Sequence, residues 1–259
     1  MPTRTARIVA YAVALVTGML GGGSLLLFGL FLWTGPFGLV DLSMAEHATL
    51  SLDAGLCLLF FFQHSSMIRK WFRTRLKKIV PEYCQGVVYT IASGVALLLL
   101  VGCWQPSAVN IYVLEGAGQW LMRAVLLLSL AGVLWGIRSL GEFDAFGIQV
   151  FLSHVRREQL QPPKLTIEGP YRLVRHPFYS FAIVALWASP VLSLDRLVLN
   201  CLFTAWIVFG ATLEERDLLA EFGEDYKLYQ RAVPMFIPRG AVSRGRIAAS
   251  RSSVGGRPV

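Results

Sequence analysis

A histidine, two tyrosines and two arginines crowd into Gly169-Pro170-Tyr171-Arg172-Leu173-Val174-Arg175-His176-Pro177-Phe178-Tyr179, just before a long apolar run. A second polar group, Glu214-Glu215, stands at the end of a later apolar run. Brought together, these side chains could bind a polar ligand or move a proton, because carboxylates accept hydrogen bonds, guanidinium groups donate them and imidazole can do either. A purely structural use competes with that reading: Arg175 could pair with either glutamate only to seat the helices, as charges beside a bilayer commonly do. Neighbouring residues on a helix point about 100° apart, so Glu214 and Glu215 cannot both face one pocket. One of them is expected to meet a ligand and the other an arginine.

Positioning these residues falls to apolar helices. Of the 259 residues 55% are hydrophobic and only 15% are charged, and the mean hydropathy of +0.56 lies outside the range of soluble domains. The chain therefore reads as an all-α, polytopic transmembrane helical bundle. About six apolar runs are long enough to approach a span, near 8–33, 48–62, 85–104, 120–137, 178–194 and 197–213. The first run is too long for a signal peptide and is not followed by a small-x-small cleavage site. Gly18 and Gly22 stand four apart within it, a spacing that permits close helix packing.

The loops 34–46 and 105–119 hold no lysine or arginine, whereas the cluster Arg69, Lys70, Arg73, Arg75, Lys77 and Lys78 lies in the segment between them. By the positive-inside rule both termini are then cytoplasmic, as in a bacterial inner-membrane protein, with Arg123 and Arg196 as exceptions. The formal net charge of +8 is accounted for by this asymmetry and by membrane lipid headgroups. Nucleic acid is not an expected partner, since no basic patch is interleaved with stacking aromatics. The cysteines Cys57, Cys84, Cys103 and Cys201 are isolated, and no metal-ligand spacing occurs.

Three regions are expected: 1–137 with four transmembrane helices, 138–239 with a helical hairpin, and a disordered tail at 240–259 rich in Arg, Ser and Gly. Only Asp195-Arg196 separates the last two apolar runs, which predicts a tight antiparallel hairpin. Arms of about seventeen residues climb roughly 25 Å each, so the second arm returns the chain to the face it left. That return brings 171–179 and Glu214-Glu215 to one membrane surface. Beyond them, Leu218, Leu219 and Phe222 continue a helix, Gly223 stops it, and Tyr226, Tyr229, Val233, Pro234 and Pro238 form a short packed extension.

The motif series Gly169-Pro170-Tyr171-Arg172-x-x-Arg175-His176-Pro177-x-Tyr179, Glu214-Glu215-x-x-Leu218-x-x-x-Phe222-Gly223-x-x-Tyr226-x-x-Tyr229, then Val233-Pro234 and Pro238, resembles the isoprenylcysteine carboxyl methyltransferase superfamily. The likeness extends to Gln63-His64-Ser65, Trp104-Gln105-Pro106, Phe143-Asp144-x-Phe146-Gly147 and Leu213-Glu214-Glu215-Arg216-Asp217-Leu218. These are similar to the bacterial branch that holds methanethiol S-methyltransferases and nitric-oxide-associated membrane proteins.

The resemblance implies S-adenosylmethionine as cofactor, held at the cytoplasmic face. It implies a pocket lined by Tyr171, His176, Pro177, Phe178, Tyr179 and Glu214, with Lys164 and Leu165 contributing from the lead-in. Glu214, Arg175 and His64 are the candidate catalytic residues: Arg175 supports the carboxylate or simply seats the helix, and His64 is a base, a thiol-positioning residue or only a polar residue that marks the end of a span. The prenylcysteine enzymes carry an arginine about one helical turn before the glutamate pair to meet a substrate carboxylate, and here that turn is Gly210-Ala211-Thr212-Leu213. A buried carboxylate without a cation is costly, so a small neutral thiol fits better than a carboxyl acceptor. The alternatives are an isoprenoid, lipid or carboxyl acceptor, or a membrane protein of this fold without the chemistry. Gly141-Glu142-Phe143 departs from the asparagine-histidine pattern of the thiol branch.

Overall fold

The computed structural model describes residues 4–141, 143–159 and 165–239. Lys164 and the expected tail at 240–259 lie outside the described residues. Nine helices occur among the described residues: α1 (Arg4–Thr34), α2 (Glu46–Ile68), α3 (Lys70–Leu76), α4 (Gln85–Cys103), α5 (Gly116–Ser139), α6 (Ile148–Arg156), α7 (Pro177–Trp187), α8 (Leu194–Phe222) and α9 (Glu224–Ala232). A two-stranded antiparallel ribbon, β1 (Asn110–Val113) with β2 (Val191–Ser193), is the sheet among these residues.

Four segments are long and apolar enough to cross a membrane: α1, α4 with its 3₁₀ lead-in (Glu82–Cys103), α5 and α8. Outward-facing side chains such as Leu26, Phe62 and Leu128 are largely exposed, as lipid-facing residues are when every backbone group is already paired within its helix. The protein is an integral membrane helical bundle.

Contacts divide the chain into two units. The first holds 1–114, 144–162 and 191–202. In it α1 and α2 pack on α4, and α6 lies against α1 and α4. The close approaches are made at Gly21 and Gly94, not at the Gly18–Gly22 pair. A Cβ on Gly94 would sit 2.7 Å from the carbonyl oxygen of Leu20, whereas one on Gly22 would meet nothing. Spacing finds small residues but not the face that carries the partner.

Gly147 precedes α6 at φ +69° with its backbone against that of Gly86; a Cβ there would lie 2.5 Å from Gly86. Gly147→Ala combines a left-handed backbone with a main-chain collision. It is expected to lower stability by about 2–4 kcal/mol, read as a drop in the unfolding temperature of purified protein.

The expected turn at Asp195-Arg196 is corrected. The first arm of the hairpin, α7, is only 11 residues long and ends at Trp187. Pro190, which lacks an N–H and cannot continue a helix, follows, and the chain then pairs as β2 with β1. Asp195 and Arg196 lie inside the first turn of α8 and are 2% and 5% exposed. Polar partners explain their burial: Asp195 accepts from the Trp104 indole at 2.9 Å and from Ser107 N–H at 3.1 Å, and Arg196 donates to the Leu32 carbonyl at 3.2 Å.

The second unit holds 115–143, 163–190 and 203–259. Gly132 of α5 lets Phe181 of α7 approach until a Cβ would be 2.6 Å from the ring. The rest of α8 runs antiparallel to α7, pinned at one end by Tyr179 OH donating to Glu214 at 2.6 Å and at the other by Trp187 Nε1 donating to Thr204 at 3.0 Å. The expected extension is present: Tyr226, Tyr229 and Val233 form a buried cluster covered by Leu165, Ile167, Leu218, Leu219 and Phe222. Burial pushes the phenols of Tyr226 and Tyr229 well above their ordinary pKa, so both stay protonated and act as neutral packing groups.

Candidate active site

The site of the second unit is built where α5 ends, α7 begins and α8 reaches Glu214. Gly169 opens a 3₁₀ turn (Gly169–Arg172) at φ +51°, a conformation glycine adopts without penalty. His176 is the residue before α7 and Pro177 its first residue, where a missing N–H costs nothing. The two free N–H groups before the helix are taken by the C-terminal segment: Arg175 N–H donates to Pro234 O at 2.8 Å and His176 N–H to Met235 O at 3.1 Å. Ser180 Oγ adds a bond to Phe236 O at 3.0 Å.

The glutamates divide as their geometry requires. Glu215, with its side chain 14% exposed, is saturated. Its Oε1 accepts from Arg175 Nε at 2.6 Å and lies 3.2 Å from His176 Nε2, and its Oε2 accepts from Gln230 Nε2 at 3.0 Å. Arg175 also donates through Nη1 to the carbonyls of Gln230 and Val233. Glu214 is different. Its side chain is 44% exposed, Oε2 is held by Tyr179, and no hydrogen bond to Oε1 is formed among the described residues.

His176 is 5% exposed and stacks on Tyr179 with ring centroids 5.4 Å apart and planes 13° from parallel. Phe236 lies 6.0 Å from the same ring, tilted by 40°. Burial lowers the histidine pKa; Glu214 and Glu215 oppose the shift, and Arg175 adds to it. The ring is therefore neutral at pH 7. A carboxylate paired with arginine can only accept, so the proton resides on Nε2, facing Glu215. Tyr171, whose carbonyl accepts from Tyr229 OH, has its own phenol pushed up to about 12 by burial and by the nearby Glu214 charge.

Because the native His176 pKa lies below the unfolded value near 6.5, the unfolded chain binds a proton first as pH falls. This group's share of stability is complete above pH 6.5 and is lost as pH drops toward the lowered native value. His176→Gln is expected to flatten the decline in unfolding temperature between pH 7.5 and 5.5, measured in one buffer series.

Of the other anticipated residues, Pro177 is buried, Phe178 is 39% exposed and meets Tyr179 edge-on, and Leu165 packs on the Tyr226–Tyr229–Val233 cluster. His64 belongs to the first unit, on α2, where Tyr89 OH lies 2.7 Å from Nε2 and Phe60 packs on the ring. Gln230, Tyr89 and Phe236 were not anticipated. Gln230 had a signal in its position one residue after Tyr229 in the motif, but an amide on a short polar helix attracts no notice by type.

The donor set fits a nucleoside-bearing methyl donor. A carboxylate oxygen is open for hydroxyl or ammonium groups, beside stacked aromatic and imidazole rings suited to a heterocycle.

Comparison with known proteins agrees with this class. The family model described as phospholipid methyltransferase matches residues 119–225. A methanethiol S-methyltransferase from a Pseudomonas species is 34% identical, over 75% of this chain and 75% of its own. The methanethiol S-methyltransferase of Mycobacterium tuberculosis is 33% identical over 77% of this chain and 83% of its own, and nurim from Xenopus laevis is 27% identical over 89% and 90%. No solved structure matches significantly. The chain belongs to the isoprenylcysteine carboxyl methyltransferase superfamily of membrane methyltransferases.

Proposed function

We propose that this protein methylates a small thiol with S-adenosylmethionine, producing a methyl thioether, which is dimethyl sulfide when the thiol is methanethiol. The observation that carries the reading is the asymmetry of the glutamates: Glu215 is consumed by the fold, while Glu214 is held by Tyr179 with one oxygen open. The names of the relatives support the thiol acceptor, and so does the lack of a cation in Gly210-Ala211-Thr212-Leu213.

Bound S-adenosylmethionine supplies a methyl group already made electrophilic by its sulfonium. The protein's part is then alignment and exclusion of water. Glu214 Oε1 would accept from the ribose or ammonium of the cofactor, and Tyr179, donating to Oε2, holds the carboxylate that would present it. His176, Tyr171, Pro177 and Phe178 would wall the pocket, with Leu165 at its lead-in, and Lys164, assigned to the same lead-in by the resemblance, lies outside the described residues. Arg175 is a positioning residue that acts through Glu215. His64, on α2 of the first unit, stays a candidate base on the resemblance alone, with Tyr89 OH 2.7 Å from its Nε2. The arginines and lysines of 138–175 favour a cytoplasmic site in a bacterial inner membrane with both termini inside.

A second reading comes from the family model, whose description names phospholipid as acceptor. One assay separates the two. Purified protein is given methyl-labelled cofactor with methanethiol, hydrogen sulfide or phospholipid vesicles, and label is counted in the headspace and in the lipid fraction. Volatile label is expected; label in lipid alone supports the second reading. Absence of transfer to every acceptor, with no heat of binding for S-adenosylhomocysteine, would leave a membrane protein without the chemistry.

A further inference from the structure

The first unit buries polar side chains that the proposed methyl transfer does not use. They lie where α1 and α4 end and α2 and α8 begin. Asp53 and Asn200 are 0% exposed, Asp195 2% and Arg196 5%. The two carboxylates grip the segment after α4: Gln105 N–H donates to Asp53 Oδ1 at 3.1 Å, and Trp104 and Ser107 donate to Asp195. Arg196 lies over the Phe31 ring at 5.7 Å, and Phe31 meets Trp104 edge-on at 5.7 Å. These contacts knit Asp53, Asp195 and Arg196 into one corner. Asn200 follows Arg196 by four residues and so occupies the same face of α8 one turn deeper.

Four atoms of this corner are buried with no protein partner: Asp53 Oδ2, Arg196 Nε, and both Nδ2 and Oδ1 of Asn200. Native interiors rarely leave such atoms bare, and where protein does not reach them, ordered water does. The chemistry of the set chooses among ligands. It offers two acceptors, on Asp53 and Asn200, and two donors, on Arg196 and Asn200. A cation would have to sit beside a guanidinium, and an anion beside a carboxylate. Water alone both donates and accepts.

We propose that Asp53, Arg196 and Asn200 enclose an internal water site that links α2 to α8 and completes the hydrogen bonds their direct contacts leave open. Radiolytic footprinting of the full chain in lipid nanodiscs tests it, because radicals formed from bound water label side chains that bulk solvent cannot reach. Cys57, 0% exposed and one turn from Asp53, and Trp104, 1% exposed, are the reporters. Phe151, buried at the opposite end of the unit, is the control.

Both reporters are expected to be labelled in the unmodified chain at doses that leave Phe151 untouched. Asn200→Leu, which fills the site with carbon, should reduce their labelling several-fold and lower the unfolding temperature by a few degrees. Asn200→Ser, which leaves room for water, should preserve the labelling, and with the unmodified chain it decides the matter should the leucine variant not fold. Unlabelled reporters in the unmodified chain overturn the assignment, as does an Asn200→Leu protein that melts at or above the parent temperature.

Discussion

Glu214→Ala is expected to reduce kcat/KM for methyl transfer by about 100-fold, close to 2.7 kcal/mol, while leaving the unfolding temperature almost unchanged. The size follows from removing a charged acceptor from a partly desolvated pocket. The small effect on stability follows from its half-exposed position and its single internal bond, to Tyr179. Glu214→Gln keeps an acceptor but not the charge and should fall between. Tyr179→Phe keeps the carboxylate but frees its rotamer, so a loss of about 10-fold is expected. Titration with S-adenosylhomocysteine reads the binding part directly. Parental affinity in Glu214→Ala would remove the carboxylate from the pocket and with it the proposed mode of cofactor binding.

Arg175→Ala is expected to act in the opposite way, costing about 3–5 kcal/mol of stability before any effect on chemistry. The guanidinium is 11% exposed and bonds Glu215 and two carbonyls of the C-terminal segment. Its removal strands a buried carboxylate with only His176 and Gln230 for company. Glu215→Ala should be comparably damaging, and the double change Arg175→Ala with Glu215→Ala less damaging than the sum of the single changes, because neither charge is then left alone. Unfolding temperatures of the four proteins measure this coupling. An Arg175→Ala protein that melts like its parent yet is inactive would move the arginine from support to direct contact with a ligand.

These opposite expectations for residues near in space mark how far the sequence could be read. The helices were legible because runs of apolar residues long enough to span a bilayer have few other uses, and the return of the chain from Tyr179 to Glu214 followed from their order. That the two glutamates must differ was also legible, from the 100° between neighbours on a helix. Which does what was not, because the decision is made by Gln230 and by the carbonyls of Gln230 and Val233. The hairpin turn was misplaced for a related reason. Hydropathy scores Asp195 and Arg196 as surface, but the indole of Trp104 and the carbonyl of Leu32 make burial affordable. Nor does apolarity register that Val191–Ser193 pair as a strand instead of prolonging α7.

The bonds from Arg175 and His176 to Pro234 and Met235 also set an order of events during synthesis. α5, α7 and α8 can all be made and inserted while the pocket's wall still lacks its backing, because that backing emerges from the ribosome after them. A nascent chain halted before Val233 would therefore carry every motif residue from Gly169 to Tyr229 and still present two bare main-chain donors and a guanidinium short of its bond to the Val233 carbonyl. The stretch from Val233 to Met235 is then the clasp that ends their exposure.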